Sequence, residues 1–187
     1  IRINSFSHTR VYNVVAGEQT FYAIAHNYVE TDGDAEVSIY GSLTVEFIPS
    51  GDNVVRSIGI AETNIDLNSL EVLGEISMNP STTGKVIVHF DGHCYTSPGD
   101  RIVLAASDAP SWTANDGNVG VEAIDSDINH RPFSHTRVYD VAAGSQKFYA
   151  VGQNYVETDG DGIASIYGTL TVEFIPEGDK IVSFTGI

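Results

Sequence analysis

One stretch is written twice in this chain, and that duplication limits the possible folds more than any other feature. Residues Phe6 to Pro49 read FSHTRVYNVVAGEQTFYAIAHNYVETDGDAEVSIYGSLTVEFIP, and Phe133 to Pro176 read FSHTRVYDVAAGSQKFYAVGQNYVETDGDGIASIYGTLTVEFIP. At a constant offset of 127 positions, Phe6 against Phe133, the copies align without a gap from Ile1/Ile128 to Ile60/Ile187, with roughly two residues in three identical. Residues 61–127 have no second copy. A domain that needs both portions can therefore be whole once, and the other copy must be covered by something else. The chain opens at Ile1 rather than Met and stops at the residue matching Ile60, which reads as a window on, or a processed piece of, a longer repetitive protein.

The local pattern is that of strands. Thr9–Val15 is rich in β-branched and aromatic residues and runs into Ala16-Gly17, which predicts a strand entering a hairpin. Gln19–Glu30 carries apolar residues on both faces, as a strand covered on both sides or seated at an interface does. Ser38–Ile48 alternates with period two and holds Gly41, a position for close approach or a bend. Further strands are expected at Val54–Ile60, Leu70–Met78 and Asn118–Ile124, with Lys85–Phe90 and Arg101–Ala106 as a strand pair flanking a Gly-rich turn region. Glu62–Ser69 and Asp125–Pro132 read as polar connections, and Ser107–Gly117 as a loop. No segment sustains helical spacing. The fold class is all-β, an antiparallel β-sandwich of jelly-roll type in tandem, one partial unit and one complete. The expected bounds are a partial unit over 1–60, a connector over 61–75 and the complete sandwich over 76–187.

The order GKVIVHFDGHCYTSPGDRIVLAAS, then FSHTRVYDVAAGSQKFYAV, then IYGTLTVEFI resembles the jelly-roll layout of the complement globular-head and tumour necrosis factor superfamily. The likeness covers about Ile76 to Pro176 and, truncated, Ile1 to Pro49. It implies secretion, self-assembly through aromatic faces and binding rather than catalysis. Family members usually carry one complete head, whereas here the second half is duplicated.

Charge narrows the partners. A net charge of -16 with 9 Lys and Arg argues against nucleic acid and anionic membranes, both of which need clustered cations. No apolar run approaches the ~20 residues that span a bilayer. The single Cys94 cannot form an internal disulfide. Each copy holds a Glu-Thr-Asp-Gly-Asp run, in which Asp32, Asp34, Asp159 and Asp161 offer oxygens to a hard cation such as calcium. The ordinary reading of such a run is a solvated hairpin tip, whose turn needs Asp and Gly. Calcium is thus the candidate ligand, and no other cofactor is expected.

Histidines 89 and 93 fall on one side of a strand with Cys94 beside them, a set that suits a surface or structural role better than zinc or copper. His8 and His135 recur in the Ser-His-Thr-Arg element and suggest a shared packing or hydrogen-bonding role. No nucleophile elbow, phosphate loop or Cys-x-x-Cys is present, so the expectation is a protein without catalytic residues. Tyr12, Tyr22, Tyr28 and Tyr40 recur in register as Tyr139, Tyr149, Tyr155 and Tyr167, and these are the interface candidates, since tyrosine joins a large apolar body to a polar tip. Ordinary strand propensity explains them too.

Two functions follow. The first is a structural subunit of an extracellular fibre or cell-surface appendage, with copies of itself as partners and a role in self-assembly or cell adhesion. The alternative is a secreted jelly-roll module, a trimer, that binds carbohydrate or protein in a calcium-dependent way.

Overall fold

The computed structural model describes residues 8–25, 43, 45, 55–66, 69–95, 100–112, 117–122, 130–156 and 163–178. The chain divides into two units, Ile1–Val11 with Ser50–Ile187, and Tyr12–Pro49.

Among the described residues, the larger unit holds eight strands: β1 Val55–Asp66, β2 Leu70–Met78, β3 Gly84–Tyr95, β4 Arg101–Ser107, β5 Val119–Glu122, β6 His130–Val141, β7 Gln146–Val156 and β8 Ile163–Pro176. They form two four-stranded antiparallel sheets, ordered β1-β8-β3-β6 and β2-β7-β4-β5. Every successive pair except β4 and β5 crosses from one sheet to the other, and the two interlocked Greek keys that result define a jelly roll.

Several sequence expectations change here. Lys85–Phe90 and Arg101–Ala106 do form strands, but β3 and β4 lie in different sheets and do not pair. The Ala-Gly turn of the second copy is likewise a corner between sheets rather than a hairpin within one. Gly144 takes a φ of 113° there and donates its N–H to Pro80 O at 3.0 Å, which fixes where β6 leaves one sheet and β7 enters the other. Of the stretch expected as a connector, 61–75, residues 61–66 lie in β1 and 70–75 in β2, so among the described residues the sandwich starts at Val55 instead of Ile76. The cause is β8. Val55–Ile60 pairs with Glu173–Gly168, and after a bulge Thr63–Asp66 pairs with Ile166–Ile163, so β1 covers what would otherwise be an open edge.

The core follows from period-two alternation on both sheets. From one come Val86, Val88, Phe90 and Cys94 of β3 with Ile166, Leu170, Val172 and Phe174 of β8; from the other come Ile76, Met78, Ile102, Leu104, Phe148 and Ala150. Phe90 and Phe133 meet edge to face at 4.8 Å. Strand β7 is apolar on both faces because both are covered: Phe148 and Ala150 enter the core, while Tyr149 and Val151 pack with Ala105 and Trp112 on the outer side.

Where β3 and β8 run side by side, Gly92 stands opposite Gly168, the counterpart of Gly41. A Cβ on Gly92 would overlap the Tyr167 carbonyl, and one on Gly168 the Asp91 carbonyl. The glycine expected to allow close approach does so in the second copy.

Candidate functional site

The most distinctive polar constellation lies on the outer face of the β1-β8-β3-β6 sheet. Because Val86, Val88 and Phe90 point inward, His89, Asp91 and His93 point outward from β3. Pairing register brings Thr136 of β6 beside His89 and Tyr167 of β8 beside His93. Asp91 is nonetheless fully buried. The residues that cover it come from the first copy: Thr9 donates its backbone N–H to Asp91 Oδ2 at 2.7 Å, and His8 Nδ1 lies 3.7 Å from the same oxygen.

The remaining geometry defines what this cluster can do. His89 Nδ1 shares a hydrogen bond with Thr136 Oγ1 at 2.6 Å, and its Nε2 faces Asp91 Oδ1 at 3.9 Å. Both of those facing atoms are buried and make no hydrogen bond among the described residues. Burial raises the Asp91 carboxyl above the usual aspartate range, against the opposing pull of the Thr9 N–H, His89 and His8. Burial lowers the His89 imidazole, and Asp91 pulls it partly back. Hydroxyl, imidazole and carboxylate stand in the order of a nucleophile relay, but 3.9 Å exceeds a hydrogen bond, so the carboxylate does not orient the ring as such a relay requires. What the cluster does is fasten the backbone at Thr9 to the sheet.

The other sequence candidates disperse. Cys94 points into the core, hydrogen-bonds to Arg131 O at 3.6 Å, and has its thiol pushed up to about 12 by burial, so it does not join His89 and His93. His93 stacks on Tyr167 with centroids 4.9 Å apart. No group of three or more His, Cys, Asp or Glu among the described residues is arranged to hold a metal. Asp32, Asp34, Asp159 and Asp161 lie outside the described residues. Also among the described residues, no helix is long and apolar enough to cross a membrane.

His8 and His135 do not share one role. His135 Nδ1 accepts the Ala106 N–H at 3.0 Å, and Tyr139 donates its hydroxyl to Ala106 O at 3.1 Å. Pairing of β5 with β4 ends at Leu104, so two side chains of β6 satisfy the backbone groups of Ala106 that β5 leaves without a neighbour. Burial, reinforced by Arg137 and His89, lowers the His135 pKa and keeps the ring neutral, as an accepting Nδ1 needs. His8 instead sits by Asp91.

Among the interface candidates, Tyr139 is half-buried in that clasp, Tyr149 is buried, and Tyr167 lies against His93 with its hydroxyl bonded to Glu62, which raises its pKa. Tyr12, Tyr22 and Tyr155 are exposed, and Tyr28 and Tyr40 lie outside the described residues. Asp91 was not singled out from the sequence. Its signal was present: it shares the outward period-two face with His89 and His93, and what buries it is 82 positions away.

By its strand order, the larger unit is a jelly-roll sandwich. No family model matches the chain, and no curated protein matches it. Among solved structures it is similar to the T13 IBDV viral particle, at 16% identity over 66% of this chain and 31% of that chain, with a TM-score of 0.42. The infectious bursal disease virus VP2 subviral particle gives 16% identity over 65% and 32%, with a TM-score of 0.39. The coat protein of Tobacco streak virus gives 9% identity over 72% and 92%, with a TM-score of 0.26. The chain spans about a third of the length of the first two.

Proposed function

We propose that this chain is a structural subunit of an extracellular fibre or surface appendage, assembling head to tail through β-sandwich repeats and strand complementation. One observation carries the reading: the sandwich, Val55 to Pro176, fits within a single 127-residue period, and sequence belonging to the same period continues on both sides of it. Before β1 stands a second statement of the β6, β7 and β8 sequence, and after β8 the residues 182–187 align with 55–60, where β1 begins, with three of the six identical. Units in one phase therefore stack in one direction, and a head-to-tail contact whose rotation does not close makes a filament. On this reading the protein is not an enzyme, its partners are further copies of itself, and it works outside the cell, where its acidity favours solubility.

Negative-stain microscopy of the purified protein tests this, with and without chelator. Fibres with an axial repeat of about one sandwich are expected. Loss of those fibres with chelator would assign calcium to Asp32, Asp34, Asp159 and Asp161. Discrete monodisperse particles would overturn the fibre.

A second reading, a secreted binding module of the complement globular-head and tumour necrosis factor kind, draws on one end of the sandwich. Tyr95 and Tyr155 are both exposed there, Tyr155 two residues before the acidic run that starts at Glu157. Glycan-array binding lost in Tyr155→Ala would favour it.

A further inference from the structure

The first copy keeps the corner of the second and lacks its surroundings. In the second copy Gly144 has a φ of 113° and Gln146 Nε2 donates to Ala142 O at 3.1 Å; in the first, Gly17 has a φ of 128° and Gln19 Nε2 donates to Val15 O at 3.2 Å. The Tyr139–Phe148 rings meet tilted at 5.8 Å, and Tyr12–Phe21 tilted at 5.9 Å. The corner is thus built alike in both.

Burial is where the copies part. Tyr149 is 9% exposed and its counterpart Tyr22 76%; Val151 is 0% and Ile24 89%; Leu170 is 0% and Leu43 55%; Val172 is 0% and Val45 53%. None of the described residues of the first copy up to Ala25 is in a strand. Exposure of this kind carries a drive to be covered that grows with the apolar area left in water. The molecule itself shows what covers such a sequence. Strands β1 to β5, Val55 to Glu122, do so for the second copy, and they are engaged with it.

We propose that the first copy, through residues 12–25 with Leu43 and Val45, takes the places of β6, β7 and β8 in a second sandwich whose β1 to β5 are another copy of the Val55–Glu122 stretch. This rests on the head-to-tail reading above and names the partner that reading leaves open. Within that sandwich Tyr12 donates to the Ala106 carbonyl of the other Val55–Glu122 stretch, as Tyr139 does here, and Tyr22 and Ile24 enter the outer packing that Tyr149 and Val151 occupy.

The test is a chain in which residues 55–127 are placed ahead of Ile1, compared with the 187-residue chain by hydrogen exchange. In the shorter chain amides 19–25 exchange at least ~100-fold faster than 146–152; in the extended chain the two segments come within ~10-fold of each other. Ile24→Asp in the extended chain abolishes the gain at 19–25 and leaves 146–152 unchanged. No slowing at 19–25, or slowing that survives Ile24→Asp, overturns the inference.

A second arm needs no added residues. Phe148→Asp in the 187-residue chain disables the second copy, and the first then competes for the β1 to β5 that the second copy vacates. Amides 19–25 gain protection in that variant, and the double variant Ile24→Asp/Phe148→Asp unfolds. A single variant as unfolded as the double one counts against the inference. Microscopy of the extended chain keeps the two ideas apart: protection without fibres ends the fibre reading alone, and fibres without protection end this inference alone.

Discussion

Tyr12 and Tyr139 are one residue of the repeat in two settings, and comparing them isolates what the sandwich adds to a side chain. Tyr139→Phe leaves the Ala106 carbonyl without its donor and costs about 1–2 kcal/mol of unfolding free energy, whereas Tyr12→Phe changes stability by under ~0.5 kcal/mol, both measured by urea unfolding. His135 sets a pH dependence at the same spot. Its folded pKa lies below the ordinary 6.5, as does that of His89, so the unfolded chain takes up their protons first. Their contribution is fully present above 6.5 and is lost as pH falls through the window between 6.5 and the lowered values. Asp91 has the opposite sign: its folded pKa lies above the ordinary 3.8, so stability recovers as pH falls from that raised value toward 3.8. Urea midpoints should therefore drop between pH 7 and pH 5, with a smaller drop in His135→Gln; identical slopes for the two proteins would contradict the buried neutral imidazole. Little of this was legible beforehand, since a histidine repeated in two copies gives no hint that one meets Ala106 and the other Asp91.

Strands were read more successfully than their partners. Leu70–Met78 is β2 to the residue, and the alternation in the second copy's counterpart of Ser38–Ile48 is the alternation of β8. Lengths were underestimated wherever a glycine or polar residue has a cross-strand reason to be there. Asp91-Gly92 reads as turn, yet β3 continues through it because Gly92 meets Gly168 and Asp91 is held by Thr9. Polar Thr63–Asp66 reads as a connection, yet it pairs with β8, with Ser165 donating to Asn64 Oδ1 at 2.6 Å. Sheet membership was not legible, because period two is the same in either sheet and the jelly-roll crossovers depend on pairings between distant positions, such as Val86 with Phe174. The glycine pair provides the element-scale prediction. Gly92→Ala pushes β3 from β8 in the middle of the four-stranded sheet and destabilises by about 1–3 kcal/mol or more, while Gly17→Ala, with open space around its Cβ and strain from its positive φ alone, costs less in the same thermal melt.

At the scale of the whole chain, two nearly identical sequences in different environments form an internal control for tertiary protection. QTFYAIA at 19–25 and QKFYAVG at 146–152 offer a protease the same aromatic cleavage sites, so a difference in cutting rate reports surroundings rather than sequence. Phe148 and Tyr149 are held between sheet neighbours β2 and β4, and cleavage there requires the sandwich to open. Tyr22 is exposed and its segment is not in a strand. Limited chymotrypsin digestion in dilute solution should therefore cut first after Phe21 or Tyr22 and leave a resistant fragment that retains Val55 to Pro176. Under conditions where the protein has assembled, the same site should become resistant, because complementation would place it where Tyr149 stands. Equal cutting at Tyr22 and Tyr149 in the dilute protein would mean that the first copy is already covered there, and the search for its partner would turn inward, to the chain itself.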